Sequence, residues 1–507
     1  MSSPPPSHVG EASTSRQRSR NGNNGNGNGN NGNGSGSSRS RRQRRRRPQT
    51  PTPSPQVVVI TSQEASTSTY YNLNGGVWPE PFVESLALQL ALDTSLSHGR
   101  LAVAPTLAIL FQVCTTWRAV SRSELLWQNL VRIVWNSTDL HRPTWREEFI
   151  YLHSTSRNFR VSRYSYYVLR PSDHLLAAAP GGDDGGAADQ LPLLCLRLVL
   201  AGDHLAVGFS DGSVRIFHLP SRLHLQTIHP LLRDHLGLFS RAVSGIVLQP
   251  LADRVVFASL DGDIHVASPL GGPTSARRAY LGDVVNDGAL VDFTGGGRFW
   301  VGLYAGVPGR AFRVWDADSE ELLFMGGSLT DPESVMGWHM LTEIRPTEFV
   351  GRIRVASQGL AVGVTSLRAL VLDLEQHVEV MGEETSRRGI IVGSVDANDD
   401  AFVMVDTRGT ASVRQLRTLE EMSRFSVSHR GGGGAPSVPL RGMLGCINNM
   451  YVMMCAGGTI RVWDAAQGEY LYSLREWVEE ATALAADDRH IVATSSDSTI
   501  HMWDYGA

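Results

Sequence analysis

The chain has 507 residues, of which 42% are apolar, and a formal net charge of −4, so it is long enough to bury one large core beside a smaller one. Its four cysteines form no CxxC pair and share no spacing with histidine pairs, which argues against a disulfide framework or a structural zinc site. The longest apolar run, residues 101–111, is too short to span a bilayer. We therefore expect a soluble intracellular protein without a metal, a cofactor or a membrane partner.

The charge is unevenly distributed along the chain. Residues 1–60 contain ten arginines and one glutamate, which leaves 36 basic against 49 acidic residues in the remainder. A basic tail on an acidic body is a composition of nuclear proteins. All 46 residues counted as lysine or arginine are arginine, so the sequence contains no lysine.

Residues 1–72 form a tail that we predict to be disordered. Residues 21–34 are only asparagine and glycine, and such sequence cannot bury enough apolar surface to offset the entropy of the chain. The tail contains the run RRQRRRR, with Arg41, Arg42, Arg44, Arg45, Arg46 and Arg47. This run predicts a nuclear-localisation signal. The alternatives are a phosphate-binding arm and a solvated charge run without a partner.

The next region has the residue spacing of helices. Phe82, Leu86 and Leu90 lie four residues apart and predict one apolar helical face. Apolar residues continue at spacings of three and four from Leu107 to Trp117. We predict three short helices followed by a linker helix.

Two capping patterns mark the starts of later helices. Ser121 and Glu124 have the spacing of a capping box, in which the hydroxyl bonds a backbone N–H and the glutamate reaches back. Thr144 and Glu147 repeat this spacing. We therefore expect a helix to begin after each pair.

From residue 161 the pattern changes to short alternating strands separated by Gly, Asp and Asn, which predicts an all-β domain. Seven strand–turn–strand units recur with their ends 40–60 residues apart, the spacing of four-stranded propeller blades. Three of them close on Trp-Asp, at Trp315, Trp463 and Trp503. The seven units are residues 205–217, 255–267, 300–316, 360–374, 402–414, 453–464 and 491–504.

The last unit ends three residues before the end of the sequence, so we do not expect its outer strand downstream. Residues 161–169 are rich in β-formers and are predicted to supply that strand and close the ring. The predicted fold is mainly β, a seven-bladed WD-type β-propeller preceded by a small all-α region and a disordered tail. The predicted segments are the tail 1–72, the all-α region 73–135, the helical linker 136–160 and the propeller 161–507.

The all-α region contains an ordered set of proline, aliphatic, cysteine and tryptophan residues: Pro79, Leu86, Leu90, Val113, Cys114, Trp117, Leu126 and Trp127. In this order the set resembles the F-box family. The resemblance implies that these residues dock on a Skp-type adaptor, which is bound to a cullin carrying the ubiquitin-transferring machinery. The alternative is a helical cap packed on the propeller, with Trp117 and Trp127 in its core.

Nearly all of the chain after residue 76 resembles the plant STERILE APETALA family. The resemblance lies in long segments such as WPEPFVESLALQLAL, QVCTTWRAVSRSELLWQ and VNDGALVDFTGGGRFWVGLYAGVPGRAF. It implies a nuclear regulator of flower and organ development. It further implies an F-box receptor that directs transcriptional repressor components to degradation.

The sequence contains no GxSxG, HExxH, Walker or Rossmann pattern tied to strand and helix. We therefore predict a non-catalytic receptor subunit of a ubiquitin ligase. The alternative is a transcriptional co-regulator whose propeller scaffolds a repressor complex, with the arginine run touching DNA. The acidic body argues against direct nucleic-acid binding by the propeller, because phosphate binding needs a basic face.

Two groups of residues are candidates for binding a substrate. Arg241, Arg388 and Arg441 fall in loops that enter innermost strands, and three arginines near one mouth would suit an acidic or phosphorylated peptide. The alternative is that arginine merely covers the surface of a chain without lysine. Trp338 and His339, in the longest interval between repeats, are the second candidate.

Overall fold

In a computed structural model of the chain, the described residues are 78–171, 193–231, 237–269, 276–307, 309–327, 352–356, 359–364, 368–376, 378–385, 392–406, 408–427 and 443–506. They belong to the second of two units into which the chain divides, Met1–Asn74 and Gly75–Ala507. The tail, with its arginine run from Arg41 to Arg47, lies outside the described residues.

The first described part of the chain is helical and is called the helical module below. It contains α1 (Glu80–His98), a 3-10 turn (Arg100–Ala102), α2 (Val103–Leu110), α3 (Thr115–Val120), α4 (Glu124–Leu130), a π-helical turn (Val131–Trp135) and α5 (Trp145–Arg160). Pro79 directly precedes α1, where its fixed φ suits a helix start. Gly99 ends α1 with a φ of 86°, a conformation that costs glycine little.

Short polar side chains cap two of these helices. Ser123, not Ser121, caps α4, because its hydroxyl accepts a hydrogen bond from a backbone N–H in the first turn (3.3 Å). Ser121 instead donates to the carbonyl of Arg118 (2.7 Å) at the end of α3. The predicted capping box of Ser121 and Glu124 is therefore wrong. The predicted cap at Thr144 is confirmed, since its hydroxyl accepts from a backbone N–H of α5 (3.2 Å).

The apolar residues on the buried face of α1 are Val83, Ala87 and Ala91. These residues pack into a core shared with α2 and α4. The predicted apolar face starting at Phe82 is displaced by one position from the buried one. Small alanine side chains allow neighbouring helices to approach, so the larger residues beside them remain partly exposed.

The described residues after α5 form mainly β-structure. Its strands are β1 (Ser165–Leu169), β2 (Cys195–Ala201), β3 (His204–Phe209), β4 (Val214–His218), β5 (Leu223–Ile228), β6 (Val243–Gln249), β7 (Arg254–Ser259), β8 (Ile264–Ala267), β9 (Arg277–Tyr280), β10 (Ala289–Gly296), β11 (Phe299–Ala305), β12 (Phe312–Asp316), β13 (Leu322–Gly326), β14 (Arg352–Val355), β15 (Leu360–Val364), β16 (Arg368–Asp373), β17 (Glu379–Thr385), β18 (Val392–Ala397), β19 (Ala401–Asp406), β20 (Thr410–Gln415), β21 (Glu421–Ser426), β22 (Leu444–Ile447), β23 (Tyr451–Ala456), β24 (Thr459–Asp464), β25 (Tyr470–Ser473), β26 (Ala483–Ala486), β27 (His490–Thr494) and β28 (Ile500–Asp504). A short helix, α6 (Val284–Asp287), precedes β10.

Within the described residues these strands form a β-propeller of antiparallel meanders. Five sheets have four strands, and one has eight, β6–β9 with β10–β13. The two halves of the larger sheet are joined by one parallel pair, Phe293 with Gly245. A side chain at Gly245 would meet the Phe293 carbonyl oxygen at 1.8 Å, so this close approach requires glycine. The predicted propeller is confirmed, but with five separate four-stranded sheets rather than seven.

The ring closes through the strand that the sequence predicts. β1 pairs antiparallel with β28, from Ser165 opposite Asp504 to Leu169 opposite Ile500. The closing sheet thus combines strands from opposite ends of the β-domain, in the order β1-β28-β27-β26. Such pairing removes the exposed edge that β28 would otherwise present.

Candidate functional site

The helical module exposes several large apolar side chains. Trp78 and Phe82 stack on each other at its start, with ring centroids 4.8 Å apart, and both are exposed. Leu96, Ile109 and Val113 are exposed by 80%, 70% and 63%. We call these five the exposed apolar residues of the helical module. Large apolar side chains that remain exposed indicate a surface for a protein partner.

The eight residues predicted to bind an adaptor fall into three groups. Pro79, Val113 and Cys114 are exposed. Leu86, Leu90 and Trp117 are half-buried and pack against the core of the module. Leu126 and Trp127 are buried. The residues of the first two groups are exposed or half-buried, and those of the third are buried.

Leu126 and Trp127 are part of the core, with 1% and 7% of their surface exposed. The Trp127 indole N–H donates to the Ser121 carbonyl (2.7 Å), and its ring lies 5.2 Å from that of Phe149. Their predicted contact with an adaptor stays a prediction. They hold α4 against α5, because a buried tryptophan contributes mainly through packing and its satisfied N–H.

A groove of about 750 Å³ runs between α2, α3 and α5. Phe111, Phe149 and Ile150 line it, with Arg118 and Arg146 among the polar residues. The contribution of α5 was missed by the sequence argument, which treated residues 136–160 as a linker. The alternation of apolar and charged residues in α5 is the signal that could have indicated it.

The helical module is joined to the propeller by contacts of α5. The Phe159 ring lies between those of Tyr451 and Tyr505, with centroids 5.6 and 3.7 Å away. Asn158 donates to the Tyr505 carbonyl (2.8 Å), and Tyr451 donates to the Ser156 carbonyl (2.9 Å). These buried contacts fix α5 on the closing sheet and its neighbour.

The polar contacts of the helical module lie on one face of the propeller. Arg100 pairs with Asp400 in the turn after β18 (3.4 Å), and Arg160 pairs with Asp464 at the end of β24 (3.2 Å). Asp400 follows the end of β18, whereas Arg241 precedes the start of β6, which has the same place in its own meander as β18. The start and the end of such a strand lie at opposite faces of the propeller. Arg241 therefore lies on the face opposite to the helical module, which we call the loop face.

Arg241 is the one predicted substrate-binding residue within the described part of the chain. It is half-buried, and its carbonyl oxygen lies close to Gly212, where a side chain would meet it at 2.7 Å. Its Nε is buried and has no hydrogen-bond partner among the described residues. Arg388, Arg441, Trp338 and His339 lie outside the described residues, so the predicted arginine mouth stays a prediction.

The part of the chain that the structure describes contains no group of three or more His, Cys, Asp or Glu side chains placed to hold a metal ion. Among the same residues, no helix has the length and apolar character needed to cross a membrane. Burial raises the pKa of the Cys195 thiol to about 12 and that of the Cys455 thiol to about 11. Both thiols are therefore protonated and act as small apolar groups.

Comparison with known proteins gives one relative of high similarity. The chain is 52% identical over 438 residues to the transcriptional regulator STERILE APETALA of Arabidopsis thaliana, covering 85% of this chain and 92% of the relative. No family model matches the chain. Among solved structures, the RRP9 WD40 repeats are 13% identical, cover 67% of this chain and 97% of that one, and give a TM-score of 0.46. The Myceliophteria_thermophila Cps50 (Swd1) β-propeller domain is 11% identical. The match covers 67% of this chain and 99% of that one, with a TM-score of 0.46.

The sheets and their closure define the class of the protein, which is a β-propeller with a helical module packed on one face. The extent and identity of the match to the Arabidopsis protein then identify its family. The chain belongs to the STERILE APETALA family, whose Arabidopsis member is named a transcriptional regulator.

Proposed function

We propose that the chain is the substrate-receptor subunit of a Skp–cullin–F-box ubiquitin ligase in the nucleus. In this role it directs transcriptional repressor components to degradation and so regulates flower and organ development. The receptor contributes binding surfaces, and the chemistry of ubiquitin transfer belongs to its partners. The helical module binds the adaptor, and the propeller binds the target.

The observation that carries this proposal is the group of exposed apolar residues of the helical module. Ile109 and Val113 flank the end of α2 and are largely exposed, and Trp117 in α3 is half-buried. Aliphatic and aromatic anchors of this kind become buried only when a partner covers them. The match of this segment to the F-box pattern makes a Skp-type adaptor the partner that we propose.

The adaptor and the target are proposed to bind at different faces of the propeller. The adaptor-binding module packs on one face through Phe159 and Arg160, and the loop face is directed away from it. A target on the loop face would therefore not compete with the adaptor. We propose that Arg241 contributes to target binding there, with Arg388 and Arg441 as further members of the arginine mouth. Trp338 and His339 are the second candidate for target binding.

We also infer that the eight-stranded sheet acts as two blades in the ring. Its halves are each four-stranded meanders, and a single residue pair joins them. On this basis the ring has seven blades. The innermost strands of all seven meanders border one central cavity, as expected for a ring of equivalent blades.

The test is co-purification of a Skp-type adaptor and a cullin with the full-length protein and with an Ile109→Asp, Val113→Asp double variant. Because both side chains are exposed, the variant should keep its fold. Placing two carboxylates in an apolar interface should weaken adaptor binding more than about 30-fold. Circular dichroism and thermal unfolding would verify that the variant remains folded.

Val285→Asp is the matched control, because Val285 is an exposed aliphatic residue in α6 on the loop face. It should retain adaptor and cullin at the wild-type level. Equal recovery of both partners with a folded double variant would contradict the receptor role. Recovery of repressor proteins without any adaptor from the wild type would instead favour a scaffold that acts without a ligase.

A further inference from the structure

Trp477 is the most exposed tryptophan among the described residues, with 64% of its surface accessible. It lies in the connection between β25 and β26, residues 474–482. Connections of this kind join the outermost strand of one sheet to the innermost strand of the next, and Arg241 lies in the equivalent connection between β5 and β6. Trp477 therefore lies on the loop face.

The backbone of this connection is bonded to the hairpin of the preceding sheet. The N–H groups of Leu474 and Val478 donate to the carbonyls of Ile460 and Gly458, each at 2.9 Å. The exposure of Trp477 is therefore a property of a bonded segment and not of a free loop.

The side chains on either side of Trp477 anchor the same segment. Glu476 accepts hydrogen bonds from the Trp503 indole N–H (2.8 Å) and from the Tyr164 hydroxyl (2.9 Å). Val478 is fully buried. Because its two neighbours are fixed, Trp477 is held in place before any partner binds, which lowers the entropy lost on binding.

The indole ring of Trp477 rests on the turn between β23 and β24. A side chain at Gly458, whose φ is 77°, would meet this ring at 2.5 Å, so the close approach requires glycine. The part of the ring that does not contact the turn is open to a partner. An exposed and pre-positioned tryptophan is the kind of residue that contributes most to protein interfaces.

The charged residues around Trp477 are mainly acidic. Four charged side chains are exposed in residues 474–482 and in the neighbouring turn 495–499: Arg475, Glu479, Glu480 and Asp497. The turn lies beside the connection, because the Ser496 N–H donates to the Glu479 carbonyl (3.4 Å). Hydrogen bonds from Ser495 and Thr499 lower the pKa of Asp497, so its carboxylate stays charged. Three carboxylates thus face one guanidinium group, and the surroundings of the indole are negative.

We propose that Trp477, Glu479, Glu480 and Asp497, which we call the Trp477 surface, bind a basic segment of a target protein, with an arginine or lysine side chain seated on the indole. A cation over an indole face is attracted by the negative charge of the ring face, and guanidinium groups also stack on it. The carboxylates supply the charge that complements such a segment.

The charge of the chain agrees with a basic partner. After residue 60 it contains 36 basic against 49 acidic residues, which favours the approach of a positive segment and disfavours a nucleic-acid backbone. The Trp477 surface is opposite in sign to the predicted arginine mouth, so the two would take different parts of a target. The inference rests on the proposed function in one respect, that the target binds the loop face.

The test is a fluorescence-anisotropy titration of the full-length protein, without adaptor or cullin, with a labelled peptide in which arginines are flanked by glycine and serine. The peptide should bind, and added salt should weaken binding because exposed charges are screened. Trp477→Ala should weaken binding at least about tenfold, because the cation–π contact is lost. The double variant Glu479→Gln, Glu480→Gln should also bind more weakly and show a smaller salt dependence.

Tyr470→Ala is the matched control. Tyr470 is an exposed aromatic residue of β25, at the end of that strand remote from the connection 474–482, and this variant should bind the peptide like the wild type. A second peptide with citrulline, a neutral isostere, in place of arginine should bind at least about tenfold more weakly. Equal affinities of the wild type and a folded Trp477→Ala variant would overturn the proposal. So would equal affinities for the two peptides, or no binding of the arginine peptide.

Trp477→Phe keeps the test decisive if Trp477→Ala does not fold. A benzene ring attracts a cation less strongly than an indole does, so its affinity should lie below that of the wild type, and an unchanged affinity would count against the proposal.

Other occupants of the Trp477 surface would be recognised by separate measurements. Displacement of the peptide by a single-stranded oligonucleotide would assign the surface to nucleic acid, and self-association that is lost in Trp477→Ala would assign it to a second copy of the chain. Either result would overturn the proposal. Peptide binding by a protein that recovers no adaptor would contradict only the ligase role, whereas adaptor recovery without peptide binding would contradict only the Trp477 surface.

Discussion

The rings of Phe159 and Tyr505 lie parallel, with their centroids 3.7 Å apart and their planes at 13°. Phe159 is in the last turn of α5, and Tyr505 directly follows β28. Neither ring is exposed. The pair therefore connects the end of the helical module to the sheet that closes the propeller, where β1 and β28 meet.

We predict that Phe159→Ala lowers the free energy of unfolding by about 3–5 kcal/mol, the range for removing a fully buried aromatic ring. The cavity would open between α5 and the closing sheet, so the loss should affect the propeller as well as the helices. Urea unfolding followed by circular dichroism would measure it. Phe82→Ala is the control, because Phe82 is exposed, and it should cost less than about 1 kcal/mol.

If Phe159→Ala and Phe82→Ala lowered the free energy of unfolding equally, the proposed role of Phe159 in joining α5 to the closing sheet would be contradicted. A loss confined to the helical signal, with the β-signal unfolding as in the wild type, would show that α5 is not part of the closing sheet's stability.

The closure of the ring was predictable from the sequence because two local signals agree. Residues 165–169 have strong β-propensity, and the last repeat needs an outer strand from elsewhere in the chain. The joining of two meanders into one sheet was not predictable in this way. It depends on the approach of Gly245 to Phe293, and no periodicity in either strand indicates a contact between blades.

The buried face of α1 was predicted less well than the propeller. A simple search for large apolar residues selects Leu86 and Leu90, although the buried face of α1 includes Ala87 and Ala91. The same preference selects Trp127, whose size and indole N–H suit a core position equally well. Which large apolar residues stay exposed depends on helix packing, and the sequence does not determine that directly.

The free energy of unfolding should depend on pH through Asp504. Both oxygens of its carboxylate accept hydrogen bonds from Arg489 (2.9 and 3.0 Å). Burial alone would raise the pKa of this carboxyl group, but the bonds from Arg489 outweigh it and leave the pKa below its usual 3.8. A depressed pKa in the folded state gives stability that is present above the unfolded value and lost as the pH falls through the folded value. We therefore predict that this contribution declines below pH 3.8.

Urea unfolding of wild type and Asp504→Asn as a function of pH would measure the effect. The variant should be less stable than the wild type near about pH 6, and the difference should narrow as the wild-type carboxyl group becomes protonated. Asp318→Asn, at an exposed aspartate whose carboxylate forms no ion pair within the described residues, serves as the control. The prediction would be contradicted if the free energy of unfolding of Asp504→Asn differed from that of the wild type by the same amount at every pH.

The arginine run of the tail gives a prediction about localisation. Replacing Arg44, Arg45, Arg46 and Arg47 with alanine should shift the full-length protein from the nucleus to the cytoplasm, because import receptors bind clustered positive charges. Fluorescence imaging of the tagged protein would measure the ratio of nuclear to cytoplasmic protein. The control is a variant in which four arginines that are spread along the tail are replaced with alanine: Arg16, Arg18, Arg20 and Arg39. Unchanged nuclear accumulation would mean that the run is only a solvated charge segment.

The absence of lysine has a chemical consequence for a ubiquitin-ligase receptor. Lysine is among the commonest residues of proteins, yet all 46 residues of the Lys-plus-Arg count are arginine here. Ubiquitin is usually transferred to a lysine amine. A guanidinium group has a pKa above about 12 and stays protonated, so it keeps the charge without offering a nucleophile.

We therefore predict that the proposed receptor resists modification by its own ligase. In a reconstituted reaction, the target should be ubiquitinated and the receptor should not, apart from the amine of Met1. Arg157→Lys and Arg132→Lys supply the matched comparison, since both positions are exposed in the helical module. Each conserves charge and adds one acceptor amine, so each variant should gain ubiquitin where the parent does not. Ubiquitin chains on a parent protein whose N-terminal amine is acetylated would contradict the prediction, because no amine acceptor would then remain on the chain.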